Sequence, residues 1–85
     1  MMKGALSFEE AVRRIPLGRW RHFKGGQYEV LGIAKDSETL APTVVYRALY
    51  GDGAIWVRAA QMWLETVVCD GASIARFTFL GEQDE

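Results

Sequence analysis

Hydrophobic and polar positions recur at helical spacing near the N-terminus and alternate, residue by residue, over most of the remaining chain. Ser7, with Glu10 three residues later, has the pattern of a capping box and predicts a helix over residues 8–15. Pro16 then ends that helix, because proline has no N–H for a further turn. The apolar positions that would form one face of the helix are Phe8, Ala11, Val12 and Ile15.

From Gly18 onward, alternation with a period of two residues predicts short strands. They cover residues 20–24, 28–34, two segments within 44–58, then 65–69 and 74–80, with one helical turn at 60–64. Gly-Gly and Asp-Gly pairs mark three of the turns, since glycine adopts positive φ without steric cost. The polar stretch 35–42 ends at Pro42, which we place outside the strands because proline cannot donate to a ladder.

Five or six short strands in a chain of 85 residues predict a mainly β fold, a small antiparallel barrel with one N-terminal helix packed against it. A chain of this length holds a single core. We expect a helical extension over residues 1–17, the barrel domain over 18–80 and a loose acidic tail over 81–85. Alternation gives the predicted strands an aliphatic face and, opposite it, an aromatic and basic face.

Composition excludes several classes of protein and site. A single cysteine, Cys69, excludes an internal disulfide, and one cysteine with one histidine cannot build the usual zinc sites. The net charge of −1 argues against a general polyanion binder. No apolar run approaches the roughly 20 residues of a membrane span, and no signal-peptide pattern is present, so we expect a cytoplasmic protein. Without a phosphate-binding loop or dinucleotide fingerprint, we assign no cofactor.

Several blocks of sequence together resemble a known family. They are residues 18–25 (GRWRHFKG), 28–34 (YEVLGIA), 37–39 (SET), 45–53 (VYRALYGDG), 56–58 (WVR) and the closing pair 76–77 (RF). In this order, over roughly residues 18–80, they are similar to the small bacterial family called domain of unknown function 1653. The resemblance implies an SH3-like barrel and no established activity. Two positions depart from the family pattern: Ala59, where proline is usual, and Asp36, where histidine is frequent.

The candidate ligand site combines cations and aromatic rings that alternation places on one side of neighbouring strands. Arginine there would hold a carboxylate or phosphate by paired hydrogen bonds. The alternatives are that the rings are core residues and that the arginines form structural pairs with Glu29, Glu38 or Glu65. Arg47 falls on the aliphatic side and is left out. The residues of the predicted site are His22, Lys24, Tyr46, Trp56 and Arg58, with Glu38 at its rim.

The leading functional hypothesis is a non-catalytic binding module for a protein segment or a small anionic ligand. The alternative is a barrel that binds single-stranded nucleic acid, because residues 13–24 interleave cations with Trp20 and Phe23 and contain no acid. A hydrolase using His22 has less support, since no nucleophile accompanies it at a motif spacing. We expect a monomer and assign no catalytic residue and no metal ligand.

Overall fold

The structure is a computed structural model that describes residues 6–82. Within these residues it is mainly β, with seven strands in two antiparallel sheets and two helices. The predicted tail reaches into residues 83–85, which lie outside the described residues, while Gly81 belongs to the last strand. The elements are α1 (Phe8–Arg14), β1 (Gly18–His22), β2 (Gln27–Lys35), β3 (Pro42–Ala48), β4 (Ile55–Ala59), α2 (Ala60–Trp63), β5 (Thr66–Cys69), β6 (Ala72–Ala75) and β7 (Phe77–Gly81).

The N-terminal helix begins as the capping box predicts, with the Ser7 hydroxyl accepting a hydrogen bond from the Glu10 N–H at 3.0 Å. Its packing face is narrower than predicted. Ala11 and Ile15, one turn apart, are buried, whereas Val12 is exposed. The prediction was wrong at Val12 because only the i, i+4 stripe of this short helix meets the sheet. Neither described helix is long and apolar enough to cross a membrane.

Five strands form the main sheet in the order β4-β3-β2-β1-β7. Pro42 is a correction to the sequence analysis, because it is the first residue of β3 and pairs with Lys35. The first position of a strand tolerates the missing N–H of proline. A register shift after Val30 in β2 makes the strand bulge at Leu31, so that Val30 and Ile33 both lie on the side that faces the core.

The predicted strand at 74–80 is two strands that belong to different sheets. β6 pairs with β5 in a separate hairpin, and β7 pairs with β1 in the main sheet. Arg76 separates them: its N–H donates to the Glu65 carbonyl, and its own carbonyl accepts from the Phe23 N–H. Residues 6–82 therefore contain seven strands, more than the five or six predicted. The helical turn predicted at 60–64 is present as α2.

Within the described residues, the strand pairings do not include β4 with β7, so the ladder of a closed barrel is not seen. The two edges nevertheless approach each other. In a flat sheet, strands four positions apart would be separated by about 19 Å. Here the Arg58 guanidinium carbon of β4 lies 5.5 Å from the ring centroid of Phe77 in β7. The main sheet is therefore strongly curled.

The inner face of the curled sheet is the side that carries Trp20, Val30, Val44 and Tyr46, all of them buried. Trp63 of α2 packs into this face, and α1 adds Ala11 and Ile15 at one end. The aromatic side of the strands is thus the core side, and the aliphatic side, with Ile55 and Val57, is exposed to solvent. Of the predicted site rings, Tyr46 therefore also belongs to the core.

Candidate functional site

Cross-strand pairing brings most of the predicted site residues to the inner face. Trp56 lies opposite Tyr46, and Arg58 lies opposite Val44. On the far side of the curl, His22 pairs with Phe77. The part of the inner face around Arg58 is called here the open inner face, and its residues are His22, Tyr28, Tyr50, Trp56, Arg58 and Phe77.

Arg58 is the cation at the centre of the open inner face. Its guanidinium lies over the Phe77 ring, and its Nε is buried without a hydrogen-bond acceptor among residues 6–82. Among residues 6–82 it forms no ion pair, whereas Arg47 pairs with Glu29 at 3.9 Å and Arg76 with Glu65 at 3.2 Å. A buried guanidinium nitrogen without an acceptor is costly unless an anion or water completes it.

His22 adds a second group that can meet an anion. Its Nδ1 accepts a hydrogen bond from the Lys24 N–H at 3.1 Å, so in the neutral ring the proton is on Nε2. Burial, and then the charges of Arg58, Arg76 and Lys24, lower the pKa of His22 below its usual 6.5. The ring is therefore neutral at pH 7, and a bound anion would raise its pKa again.

Three tyrosines contact one another next to Arg58 on the inner face. Tyr28 and Tyr50 share a hydrogen bond of 2.7 Å between their hydroxyls, and Tyr28 and Tyr46 meet edge to face at 5.3 Å. Burial, followed by the hydrogen bond with Tyr50, raises the pKa of Tyr28 to about 12. Tyr46 is only 6% exposed, so this predicted site residue is also part of the core. Tyr50, by contrast, is exposed.

The remaining predicted site residues, Trp56, Lys24 and Glu38, lie on a strand, in a turn and in a loop, respectively. Trp56 projects from the inner face with 56% of its surface exposed. Lys24 follows β1 in an exposed turn, with its Nζ 5.8 Å from the ring centroid of Phe23. Glu38 is exposed in the loop between β2 and β3, where its N–H donates to Asp36 Oδ1 at 2.8 Å. No contact in the described part of the chain joins Glu38 to His22 or Arg58, so the geometry does not support Glu38 as the rim of this site.

Sequence reasoning missed Trp63 and the pair Arg76-Phe77. Trp63 is 1% exposed, stacks on Phe77 at 3.7 Å with an interplanar angle of 1°, and has a buried Nε1 without an acceptor. Arg76 also has a buried Nε without an acceptor. Arg76 and Phe77 form the closing pair of the family resemblance, and this pair could have indicated that both residues belong to the site. For Trp63 there was none, because the helical turn that carries it is too short to show a pattern.

The basic and aromatic stretch 13–24 is divided by the fold. Trp20 is buried, and its indole N–H donates to the Pro16 carbonyl at 3.1 Å. Its ring therefore does not stack on a base. Arg19 and Arg21 alternate with Trp20, so they lie on the outer side of β1, away from His22.

Two surface grooves lie away from the open inner face. One of about 530 Å³ runs beside the start of β1 and includes Glu29 and Glu82 in its lining, and one of about 340 Å³ lies between Phe8 and Leu40. Neither contains a lysine, arginine or histidine in its lining. In the residues that the structure covers, no cluster of three histidine, cysteine or acidic side chains could hold a metal ion. Of these three regions, only the open inner face contains an arginine and a histidine.

Comparison with known proteins identifies the family. The family described as "protein of unknown function (DUF1653)" matches residues 18–79. A crystal structure of a protein of this family from Bordetella bronchiseptica is 32% identical in sequence, with a TM-score of 0.76 over 86% of this chain and 96% of that one. No curated protein matches the chain. Since the family match covers more than half of the residues and the solved structure shares the fold, the chain belongs to the DUF1653 family.

Proposed function

We propose that this domain is a non-catalytic binding module, an SH3-like barrel left open between β4 and β7, that holds a small anionic ligand on its open inner face. The observation that carries the proposal is Arg58. Its guanidinium is partly buried, its Nε has no acceptor, and no carboxylate of residues 6–82 pairs with it. Proteins seldom keep such a group without a ligand or water to complete it.

The neighbouring groups suit an anion. His22 presents Nε2, and Lys24 adds positive charge next to it. Arginine can hold two oxygens of a carboxylate or phosphate at once, while histidine and lysine supply single donors. Since anion binding favours the charged form of His22, affinity should increase as the pH falls from 7.5 to 6.

The geometry favours this function over the other hypotheses. A hydrolase using His22 would need a nucleophile in hydrogen-bond reach, and in the described residues the partner of its Nδ1 is the backbone N–H of Lys24. A nucleic-acid surface based on residues 13–24 would need the ring of Trp20, which packs against Trp63 in the core. A protein segment remains compatible with the site through an acidic side chain or a terminal carboxylate.

The experiment is a titration of the ¹⁵N-labelled chain with inorganic phosphate and with citrate, followed by nuclear magnetic resonance. Because Arg58 Nε is buried, its N–H should give a separate side-chain signal that moves on binding, together with the Trp63 indole signal. Arg58→Gln should weaken binding by at least about tenfold, since hydrogen bonds to charged groups contribute about 1.5–3 kcal/mol.

The matched control is Arg47→Gln, which removes an arginine from the opposite side of the same sheet. It should leave the affinity unchanged. If the two variants weaken binding equally, or if the anions move no signal of the open inner face, the proposal is wrong.

A further inference from the structure

The aromatic side chains on the inner face of the sheet are not equally paired. Tyr28, Tyr46, Trp63 and Phe77 each pack against other rings in edge-to-face or stacked contacts. Trp56, on the same face, has no ring partner in the described residues and is 56% exposed. A large ring left open on the side of the sheet that otherwise forms the core is a surface for stacking.

Trp56 and Arg58 alternate along β4, so both side chains leave the strand on the inner side. Their Cα atoms are about 6.6 Å apart at the usual rise of a strand. Their cross-strand neighbours on β3 are Tyr46 and Val44, which are buried in the core and so fix the position of this part of β4. The site thus places a flat apolar surface one strand repeat from a guanidinium.

We infer that the ligand of the open inner face is a nucleoside monophosphate group, with its base stacked on Trp56 and its phosphate held by Arg58. This inference rests on the proposed function and specifies its ligand. A nucleoside monophosphate has a flat ring at one end, a short sugar spacer and a charged group at the other. A sugar phosphate lacks the flat ring, and a nucleoside lacks the charge.

The distribution of charge favours phosphate over a single carboxylate. Arg58 and His22 both lie against Phe77, Lys24 adds positive charge close to His22, and Arg76 next to them is already paired with Glu65. A phosphate monoester carries nearly two negative charges at pH 7 and offers three oxygen acceptors. It can therefore accept from Arg58 and His22 at the same time, whereas one carboxylate is largely occupied by a guanidinium alone.

The test compares adenosine 5′-monophosphate, ribose 5-phosphate and adenosine at constant ionic strength, in the same ¹⁵N titration and by tryptophan fluorescence. Trp20 and Trp63 are buried, so quenching by a stacked base reports on Trp56. The nucleotide should bind about tenfold or more tightly than the sugar phosphate, in line with the usual contribution of base stacking. Trp56→Ala should remove this difference and leave ribose 5-phosphate binding unchanged, whereas Arg58→Gln should weaken both phosphates.

The matched control is Ile55→Ala, the adjacent exposed residue on the other side of β4, which should change neither affinity. Equal affinity for nucleotide and sugar phosphate would overturn the inference and leave the proposed function standing. If neither phosphate binds in an Arg58-dependent way, the inference is overturned, and if inorganic phosphate and citrate also fail, so is the proposed function. A 5′-phosphorylated tetranucleotide then shows whether the natural ligand is a free nucleotide or the 5′ end of a nucleic-acid strand. If the tetranucleotide binds more tightly than the mononucleotide, the ligand is a strand end. If it binds equally or more weakly, the ligand is a free nucleotide.

Discussion

His22 shows how the surroundings of a single residue set its protonation. Its ring packs edge to face on Phe77 at 4.9 Å, and burial together with Arg58, Arg76 and Lys24 lowers its pKa. Below pH 6.5 the unfolded chain therefore binds a proton that the folded domain does not yet bind. The free energy of unfolding should then rise with pH in this window and fall as the solution is acidified.

We predict that the wild-type domain loses more stability between pH 7.5 and 5.5 than a His22→Asn variant. The amide oxygen of asparagine can replace Nδ1 as acceptor for the Lys24 N–H, but it does not titrate in this range. Urea unfolding at both pH values, in a buffer without phosphate, measures the two differences. Equal losses in the two proteins would show that His22 has the same pKa in the folded and the unfolded chain.

The side of the sheet on which the residues of β3 and β4 lie could be predicted from the sequence, because successive side chains of a regular strand alternate. Counting by two correctly put Trp56 and Arg58 on one side of β4 and Arg47 on the opposite side of β3. Contacts between distant segments could not be predicted in this way. Trp63 reaches Phe77 because the sheet curls, and Glu38 was included because its long polar loop was expected to border the site.

At the scale of elements, the region after α2 is another case in which contacts between distant segments could not be predicted from the pattern. Apolar and polar residues alternate from Ala75 to Phe79, between the apolar residues Ile74 and Leu80, so the pattern predicts one strand. The change of sheet at Arg76 depends on its hydrogen bonds with Glu65 and Phe23, which lie in other segments. The hairpin turn itself was predictable. Asp70 and Gly71 have φ values of 52° and 81°, as a two-residue turn of type I′ requires.

Gly18, with a φ of +131°, leaves no room for a side chain between the start of β1 and the end of β7. A Cβ atom at this position would lie 2.5 Å from the carbonyl oxygen of Gly81 and 2.9 Å from the Cα of Glu82. Both neighbours are backbone atoms, so relief would require the strands to separate.

We therefore predict that Gly18→Ala destabilises the domain by at least about 1–3 kcal/mol, the usual cost of a side chain in such a backbone conformation, with the steric clash in addition. Gly25→Ala has a comparable φ of +110° but no heavy atom within 4 Å, so it isolates the conformational cost. Gly32→Ala, with neither feature, should change stability by less than about 1 kcal/mol. Urea unfolding ranks the three variants, and equal effects of Gly18→Ala and Gly25→Ala would exclude the clash.

For the molecule as a whole, the residues that match the family and the residues that form the core are not the same. The match begins at residue 18, and the sequence analysis likewise separated a helical extension at 1–17 from the barrel domain. In the structure, however, Ala11 and Ile15 of this extension are fully buried in one cluster with Trp20, Val30 and Trp63. The helix is therefore part of the core, although it lies outside the matched residues.

We predict that a chain beginning at Gly18 unfolds at a markedly lower temperature than the full chain, because removal of the helix exposes the end of the core. The single substitution Ile15→Ala should already cost about 2–5 kcal/mol, as is usual for a large aliphatic side chain removed from a core. Val12→Ala, on the exposed side of the same helix, is the control and should cost less than about 1 kcal/mol. Thermal unfolding followed by near-ultraviolet circular dichroism measures all four proteins, since Trp20 and Trp63 report on the core that the helix covers. Should the shortened chain unfold at the same temperature as the full one, the helix would be an appendage and the family-matched segment would hold the whole core by itself.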